Sequence, residues 1–489
     1  MASSVFAIRR PLAAALGLLG AALVALVLWF ALGRLEGTPP HLSVQPDVPA
    51  ALGPALELTV TAEDAQSGVR RLRVELTQAG RDIVLLEDPP PGGGRPEAGK
   101  ASRVSRAVRL DPRAQGLADG PAVLRITAAD ASWRGWGRGN AAERRFELRI
   151  DTRPPRIENR GPQTAVAPGG SGLAVYRLSE PCPQSGVRVG EEFFPGRGGL
   201  FPEDPLVHAA LFALPHDAPT APGLVLEARD EAGNRTQVPL PVFFHKRSFR
   251  RDAIPVSEAF LRQVLAEFER LLPPGRADDP KEAFLWVNRD LRRENHRALT
   301  ELTRTVRPEI LWEGAFLRMP NAAPRAGFAD RRTYLYDGRP IDAQDHLGVD
   351  LASTAQAPVP AANSGVVAFV GPLGIYGQTV LVDHGLGLFS MYGHLSAVAV
   401  SAGERVARGQ TLGRTGSTGL AAGDHLHFSL IVHHRFVDPV EWWDPLWIQE
   451  RVLRKLEAAR KGEGAAPAAA PPKEGPGRPA AAKRPGRGR

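Results

Sequence analysis

His346-Leu-Gly-Val-Asp350 and His425-Leu-His427 bracket a Tyr392-Gly393-His394 triplet in the last third of this chain. Three of these five histidine and aspartate side chains can hold a divalent metal while two remain free for acid–base work. In an extended segment positions i, i+2 and i+4 share one face. His346 and Asp350 are therefore expected to point the same way, with Gly348 leaving room for a metal between them. A helix would also bring i and i+4 together, but Gly348, Val349 and Leu351 favour a strand or loop. His425-x-His427 likewise places two imidazoles on one face. Two ligands from one segment and a third from another give His₂Asp coordination, which suits zinc with a fourth position open to water. No Glu stands in a His-Glu-x-x-His helix, so the helical zincin arrangement is absent. Gly-punctuated strands surround these motifs, at Ser364–Val370, Gln378–His384 and Leu426–Val432. They predict an antiparallel β catalytic domain over 308–456.

The flanks extend the pattern. Tyr392-Gly-His394-Leu395 stands in the middle, Gly416-Ser-Thr-Gly419-Leu-Ala-Ala-Gly-Asp-His425-Leu-His427-Phe428 late, and Pro358-Val-Pro-Ala361 and Gly403-Glu-Arg-Val406-Ala-Arg-Gly409 between. Together with His346-x-Gly-x-Asp350 they resemble the lysostaphin/LytM family of zinc metallopeptidases over roughly Gly314 to Trp447. The resemblance implies His346, Asp350 and His427 as zinc ligands and His394 and His425 as the catalytic pair. It implies one Zn²⁺ per domain, a narrow groove across the metal, and peptide crosslinks of bacterial peptidoglycan as substrate. Arg331 or Arg332, in the segment before the first ligand, and Tyr392 are the candidate substrate contacts. His384 is expected to end a strand and support the site, and His433-His434 to lie in a turn. Trp442, Trp443 and Trp447 are expected to pack the end of the domain.

Upstream the chain divides by pattern. Residues 37–150 and 151–247 carry strand-like alternation, as in Leu56-Glu-Leu-Thr-Val-Thr61 and Val69-Arg-Arg-Leu-Arg-Val-Glu-Leu76. Each opens on twin prolines, Pro39-Pro40 and Pro154-Pro155, and each later carries an Asp turn at Asp130 or Asp230. These segments resemble bacterial immunoglobulin-like repeats, which implies two β-sandwich modules acting as spacers or binding platforms. Asp88-Pro-Pro-Pro-Gly-Gly-Gly-Arg95 reads as an exposed loop. Over 248–307 the period turns helical. Phe260, Val264, Leu265 and Phe268 form one stripe, ended by Pro273-Pro274-Gly275, and Phe284, Val287, Leu291 and Leu299 form another. This is a helical connector, or else a regulatory segment covering the groove.

At 489 residues the chain is expected to hold about three domains, and 43% hydrophobic content supplies their cores. Its net charge of +8 is concentrated in a C-terminal tail, residues 457–489, that is Ala/Pro/Gly-rich and expected to be disordered. No nucleic-acid recognition motif accompanies the charge, so no nucleic-acid partner is expected. Cys182 is alone, which excludes an intrachain disulfide and a Cys-based zinc cage. Arg9-Arg10 precedes an apolar run from Pro11 to Gly33, long enough for the about 20 residues a span requires. Residues 1–36 therefore predict a single-pass signal-anchor in the inner membrane, with the bulk of the chain in the periplasm or cell envelope. The reading is a mainly β, membrane-anchored zinc metalloendopeptidase acting on peptidoglycan, with an envelope protein as a further partner of the sandwich modules. The alternative is a scaffold or activator of another cell-wall hydrolase, with this domain as a docking surface.

Overall fold

The computed structural model describes residues 18–29, 35–89, 102–218 and 222–462. Residues 18–29 are helical, and among the described residues no helix is long and apolar enough to cross a membrane. The remainder of the expected span, most of the Pro/Gly loop near 90–95 and the tail from 463 onward lie outside the described residues.

Two compact units are present, Met1–Pro155 with Arg229–Thr236, and Arg156–Ala228 with Gln237–Arg489. The first is built on a three-stranded sheet (His41–Gln45, Leu56–Glu63, Arg103–Leu110) and a five-stranded sheet centred on Val69–Gln78 and Gly120–Asp130. Strand alternation sends Leu58 and Val60 of one sheet and Leu72, Val74, Leu76, Leu124 and Ile126 of the other into one shared core. That is a two-sheet sandwich.

The second unit joins everything that positions the candidate site. Its first part has a three-stranded sheet around Ser171–Leu178 and a four-stranded sheet around Gln184–Val189. Its C-terminal part has an eight-stranded antiparallel sheet. The order runs Ala323–Ala326, Val349–Ala352, Leu426–Val432, Leu388–Leu395, Gln378–Asp383, Gly365–Pro372 and Arg405–Val406, with Arg435–Val437 paired to Leu426–Val432. Every residue of Leu388–Leu395 and Leu426–Val432 is buried, as expected of strands covered on both faces. One face, carrying Val380, Val382, Tyr392, Phe428 and Leu430, packs with Trp442 and the preceding module. The other face, carrying Leu381, Phe389, Met391 and Ile431, packs against helices.

Those helices are the expected connector. Glu258–Phe268 begins where the Ser257 hydroxyl accepts the Phe260 N–H. Pro280–Trp286 begins at Asp279 with Pro at its first position, then passes through a π turn, Val287–Leu291, into Arg292–Leu302. Phe284, Val287, Leu291 and Leu299 are buried against the sheet, as the periodicity predicts. The segment before the helices, Arg251–Pro255, adds a parallel strand to Asp330–Tyr336, whose other neighbour is Arg339–His346. The connector is thus hydrogen-bonded into the catalytic part at its start.

Residues 457–460, expected in the tail, instead end the helix Arg454–Arg460. Burial explains it: Leu456 is in the core, and the Lys455 ammonium donates to Thr164 Oγ1 and to Leu173 O at 2.8 Å. Phe284 is fully buried between the helices and Tyr334. Phe284→Ala should therefore cost about 3 kcal/mol or more, read as accelerated hydrogen exchange across residues 258–302. Unchanged exchange would show that these helices do not depend on that contact.

Candidate metal centre

The site lies on the helix-covered face of the eight-stranded sheet. Asp350 of Val349–Ala352 sits directly opposite His427 of Leu426–Val432, which in turn faces Gly393 of Leu388–Leu395. His346 comes from the neighbouring sheet, as the last residue of Arg339–His346. His346 and Asp350 are therefore not on one continuous strand. The chain breaks at Leu347-Gly348, and the two residues belong to strands of different sheets. Gly348 serves a purpose other than the one expected. A Cβ there would lie 2.6 Å from His427 Cε1 and Ser429 Oγ, so glycine makes room for the ligand ring itself.

His346 Nε2, His427 Nδ1 and Asp350 Oδ1 form a triangle with sides of 2.9, 2.9 and 3.0 Å. Their tautomers follow from the outer contacts. His346 Nδ1 faces the Gly327 carbonyl at 2.9 Å, and a carbonyl only accepts, so Nδ1 carries the hydrogen. Ser429 Oγ donates to Leu347 O at 2.7 Å, which leaves it only to accept from His427 Nε2 at 3.0 Å. Nε2 of His346 and Nδ1 of His427 are then bare lone pairs, both aimed at a carboxylate oxygen. Three acceptors with no hydrogen among them repel one another unless a cation lies between. Bonds of about 2.0–2.1 Å at tetrahedral angles separate such ligands by about 3.3 Å, so an outward shift of a few tenths of an ångström seats a zinc ion. The donor set fits.

The remaining two histidines stand beside this triangle with their own tautomers set. His394 Nδ1 donates to Thr418 O and His425 Nδ1 to Gly423 O, each at 2.8 Å, which leaves both Nε2 atoms free to accept. The two rings are 4.8 Å apart, and His425 Nε2 is 3.6 Å from Asp350 Oδ1. His394 reaches this face through a bulge. Residues 393 and 394 together oppose Thr379, and His394 takes φ +62°, re-aiming a side chain that strict alternation would send to the other face.

The charges are pushed apart. Burial, with His427 and His425 nearby, drives His394 down to about 3. Burial lowers His427 to about 4 despite Asp350. Burial would raise Asp350, but His346, His425 and His427 hold its carboxyl well below the usual range. Burial opposes protonation of His425, yet Asp350 outweighs it and raises that pKa.

Of the candidate substrate contacts, only Arg332 lines the cavity, and its guanidinium donates to Asp350 Oδ2 at 2.8 Å. Alternation along Asp330–Tyr336 turns Arg331 away, toward Asp345 at 3.5 Å. Tyr392 is 1% exposed and packs in the opposite core, where its hydroxyl accepts the Ala362 N–H, so it is a packing residue. His384 is fully buried against Ser364 O and Ser390 Oγ, and His433-His434 turn the chain into Arg435–Val437. Residues missed in the sequence are Tyr376, whose ring is 5.4 Å from that of His427, and the connector side chains Phe260, Phe284 and Arg292. Ser429 was legible in principle, two residues past His427 and so on the same face.

Residues 344–439 match the model of Peptidase family M23. This region is a Peptidase family M23 domain. The match contains all five histidine and aspartate residues of the centre. Over 95 residues the chain is 39% identical to the DD-carboxypeptidase/endopeptidase Mpg of Neisseria meningitidis, covering 19% of this chain and 22% of that protein. It is 38% identical over 96 residues to the peptidoglycan DD-endopeptidase ShyA of Vibrio cholerae, covering 20% and 22%. The similarity thus spans about a fifth of each curated relative. A crystal structure of a putative peptidase M23 from Pseudomonas aeruginosa is 24% identical, covering 57% of this chain and 95% of that one, with a TM-score of 0.37. The helices and Arg332 lie outside the matched M23 segment.

Removing the Ser429 hydroxyl frees His427 to take the wrong tautomer. Ser429→Ala should weaken divalent-metal binding to the M23 domain about 10-fold or more, measured by competition with a chromophoric chelator. Unchanged affinity would remove Ser429 from this role.

Proposed function

We propose that this chain is a zinc metallopeptidase that hydrolyses peptide bonds in the stem peptides or crosslinks of peptidoglycan, held at the inner membrane by its N-terminal apolar segment with the bulk in the envelope. The observation that carries the reading is the convergence of three unprotonated donors beside two imidazoles whose Nε2 atoms are free. The likeness of the M23 segment to enzymes named peptidoglycan DD-endopeptidases supports the substrate class.

His346, Asp350 and His427 would hold the zinc. When bound, it supplies Lewis acidity that polarises a peptide carbonyl and acidifies water. The side chains do the rest. Gly327 and Ser429 hold the two ligand imidazoles in the donor tautomer, and Arg332 neutralises the outer oxygen of Asp350. His425 or His394 accepts the proton of the attacking water at Nε2 and returns it to the departing amine. The helices wall the cavity with Phe260 and Phe284, which limits bulk water around the cut bond.

Full-length protein incubated with intact peptidoglycan sacculi should release cut stem peptides, detected by mass spectrometry, and a chelator should stop the release. His394→Ala should retain the metal but lose about 100-fold or more in kcat. Absence of any chelator-sensitive product would overturn the peptidase reading.

A further inference from the structure

The candidate metal centre opens into a cavity of about 320 Å³. That is near the lower end of the range for small-molecule sites. The M23 segment contributes the ligands, Tyr376 and the Leu420–Ala422 loop, while the connector closes the opposite side with Phe260, Phe284 and Arg292. Two cations therefore line the same cavity, and they differ. Arg332 is answered by Asp350 at 2.8 Å. Arg292 has no carboxylate partner among the described residues.

Arg292 is nonetheless held in place. Its Nε donates to Asn288 O at 3.1 Å and its Nη2 to Asn288 Oδ1 at 2.7 Å. Asn288 is fully buried and donates through Nδ2 to Asp342 Oδ2 at 2.7 Å. Asn288 lies in the π turn Val287–Leu291 and Arg292 follows that turn directly, four residues on and so on the same helix face. Single π turns inside helices concentrate at functional sites. Nη1, with two hydrogens, has no acceptor among the described residues. A guanidinium oriented by two hydrogen bonds, with no carboxylate partner among the described residues, is a prepared anion receptor.

Arg292 lines the same cavity as the three metal donors, His394 and His425, so an anion it receives belongs to a peptide bound at the centre. The anion closest to a scissile peptide bond in such a peptide is the carboxylate on the carbon that bears the leaving amine. We propose that Arg292 receives that carboxylate, so that the substrates are peptides whose leaving residue carries a free carboxylate beside the cut bond. Two sources share this chemistry: a C-terminal amino acid, and a crosslinking diamino acid whose own carboxylate is free. The inference rests on the peptidase reading of the same cavity. It makes Arg292 a specificity-determining residue supplied by the connector and not by the M23 segment.

The test uses the full chain and matched synthetic stem peptides ending in D-Ala-D-Ala, one as the free acid and one as the terminal amide. A second pair is a crosslinked dimer with the diamino-acid carboxylate free or amidated. Binding of each to the metal-free protein is measured by calorimetry, and cleavage by the zinc-loaded protein as kcat and KM. The free acid of at least one pair should be preferred about 10-fold or more, mainly through KM and equally in binding; the pair that shows the preference identifies the source. Arg292→Met should bring the acid-to-amide ratio close to one, and Arg292→Lys should keep part of it. Equal handling of acid and amide by the unmodified protein, or an undiminished preference in Arg292→Met, would overturn the proposal. Acid-selective binding without cleavage of either peptide would overturn the peptidase reading and leave the role of Arg292 standing. Neither binding nor cleavage would overturn both.

Discussion

Everything around the centre follows from aiming three lone pairs at one point. Such a cluster is repulsive by itself, so the fold must fix each donor from behind before a cation can bind. Gly327 O fixes His346, the Arg332 guanidinium holds Asp350, and Ser429, itself committed to Leu347 O, fixes His427. The two neighbouring histidines, His394 and His425, are fixed by Thr418 O and Gly423 O. Gly348 is needed because the His427 ring occupies the space any larger residue would take. A bulge-free version of this sheet could carry the ligands but would leave His394 on the wrong face.

The second consequence concerns what surrounds the sheet. Its two central strands are buried on both faces, so each face needs a cover. On one face the preceding module supplies it. Trp442 Nε1 donates to Ser171 Oγ at 3.0 Å, and Arg247 reaches Asp438 and Glu441 at 3.2 and 3.1 Å. On the other face the helices supply it, and the metal centre opens beneath them. Hydrophobic covering and the wall of the cavity therefore share a side chain: Phe284 packs the helices and also lines the cavity.

Much of this was legible in the sequence, and the limits have physical causes. Two-residue spacing identified His427 and its partner His425, and the helical period located the connector with its buried Phe284, Val287, Leu291 and Leu299. The His346–Asp350 pairing was anticipated, but on a single strand. A Gly in the middle of a strand pattern is also the signal for a break, and the break is what occurs. Strict alternation cannot foresee the bulge that re-aims His394, since it depends on how Gln378–Asp383 pairs with the next strand. Arg331 and Arg332 were indistinguishable by type and separable only by register. Tyr392 shares its motif with His394, yet the bulge between them sends the two side chains to opposite faces. Backbone acceptors such as Thr418 O have no side-chain signature at all. Nothing in the helical period separates Arg292, which lines the cavity, from the exposed Arg293 and Arg297 of the same helix.

The central claim is that three unprotonated donors, two nitrogens and one oxygen, converge on a single cation. The most direct measurement is the metal content of the purified full-length chain, with X-ray absorption at the zinc edge. One zinc per chain, with two imidazole nitrogens and carboxylate oxygen at about 2.0–2.1 Å, is the predicted result. A protein that remains metal-free in zinc-containing buffer, with a proton shared between Asp350 and either His346 or His427, would contradict the account.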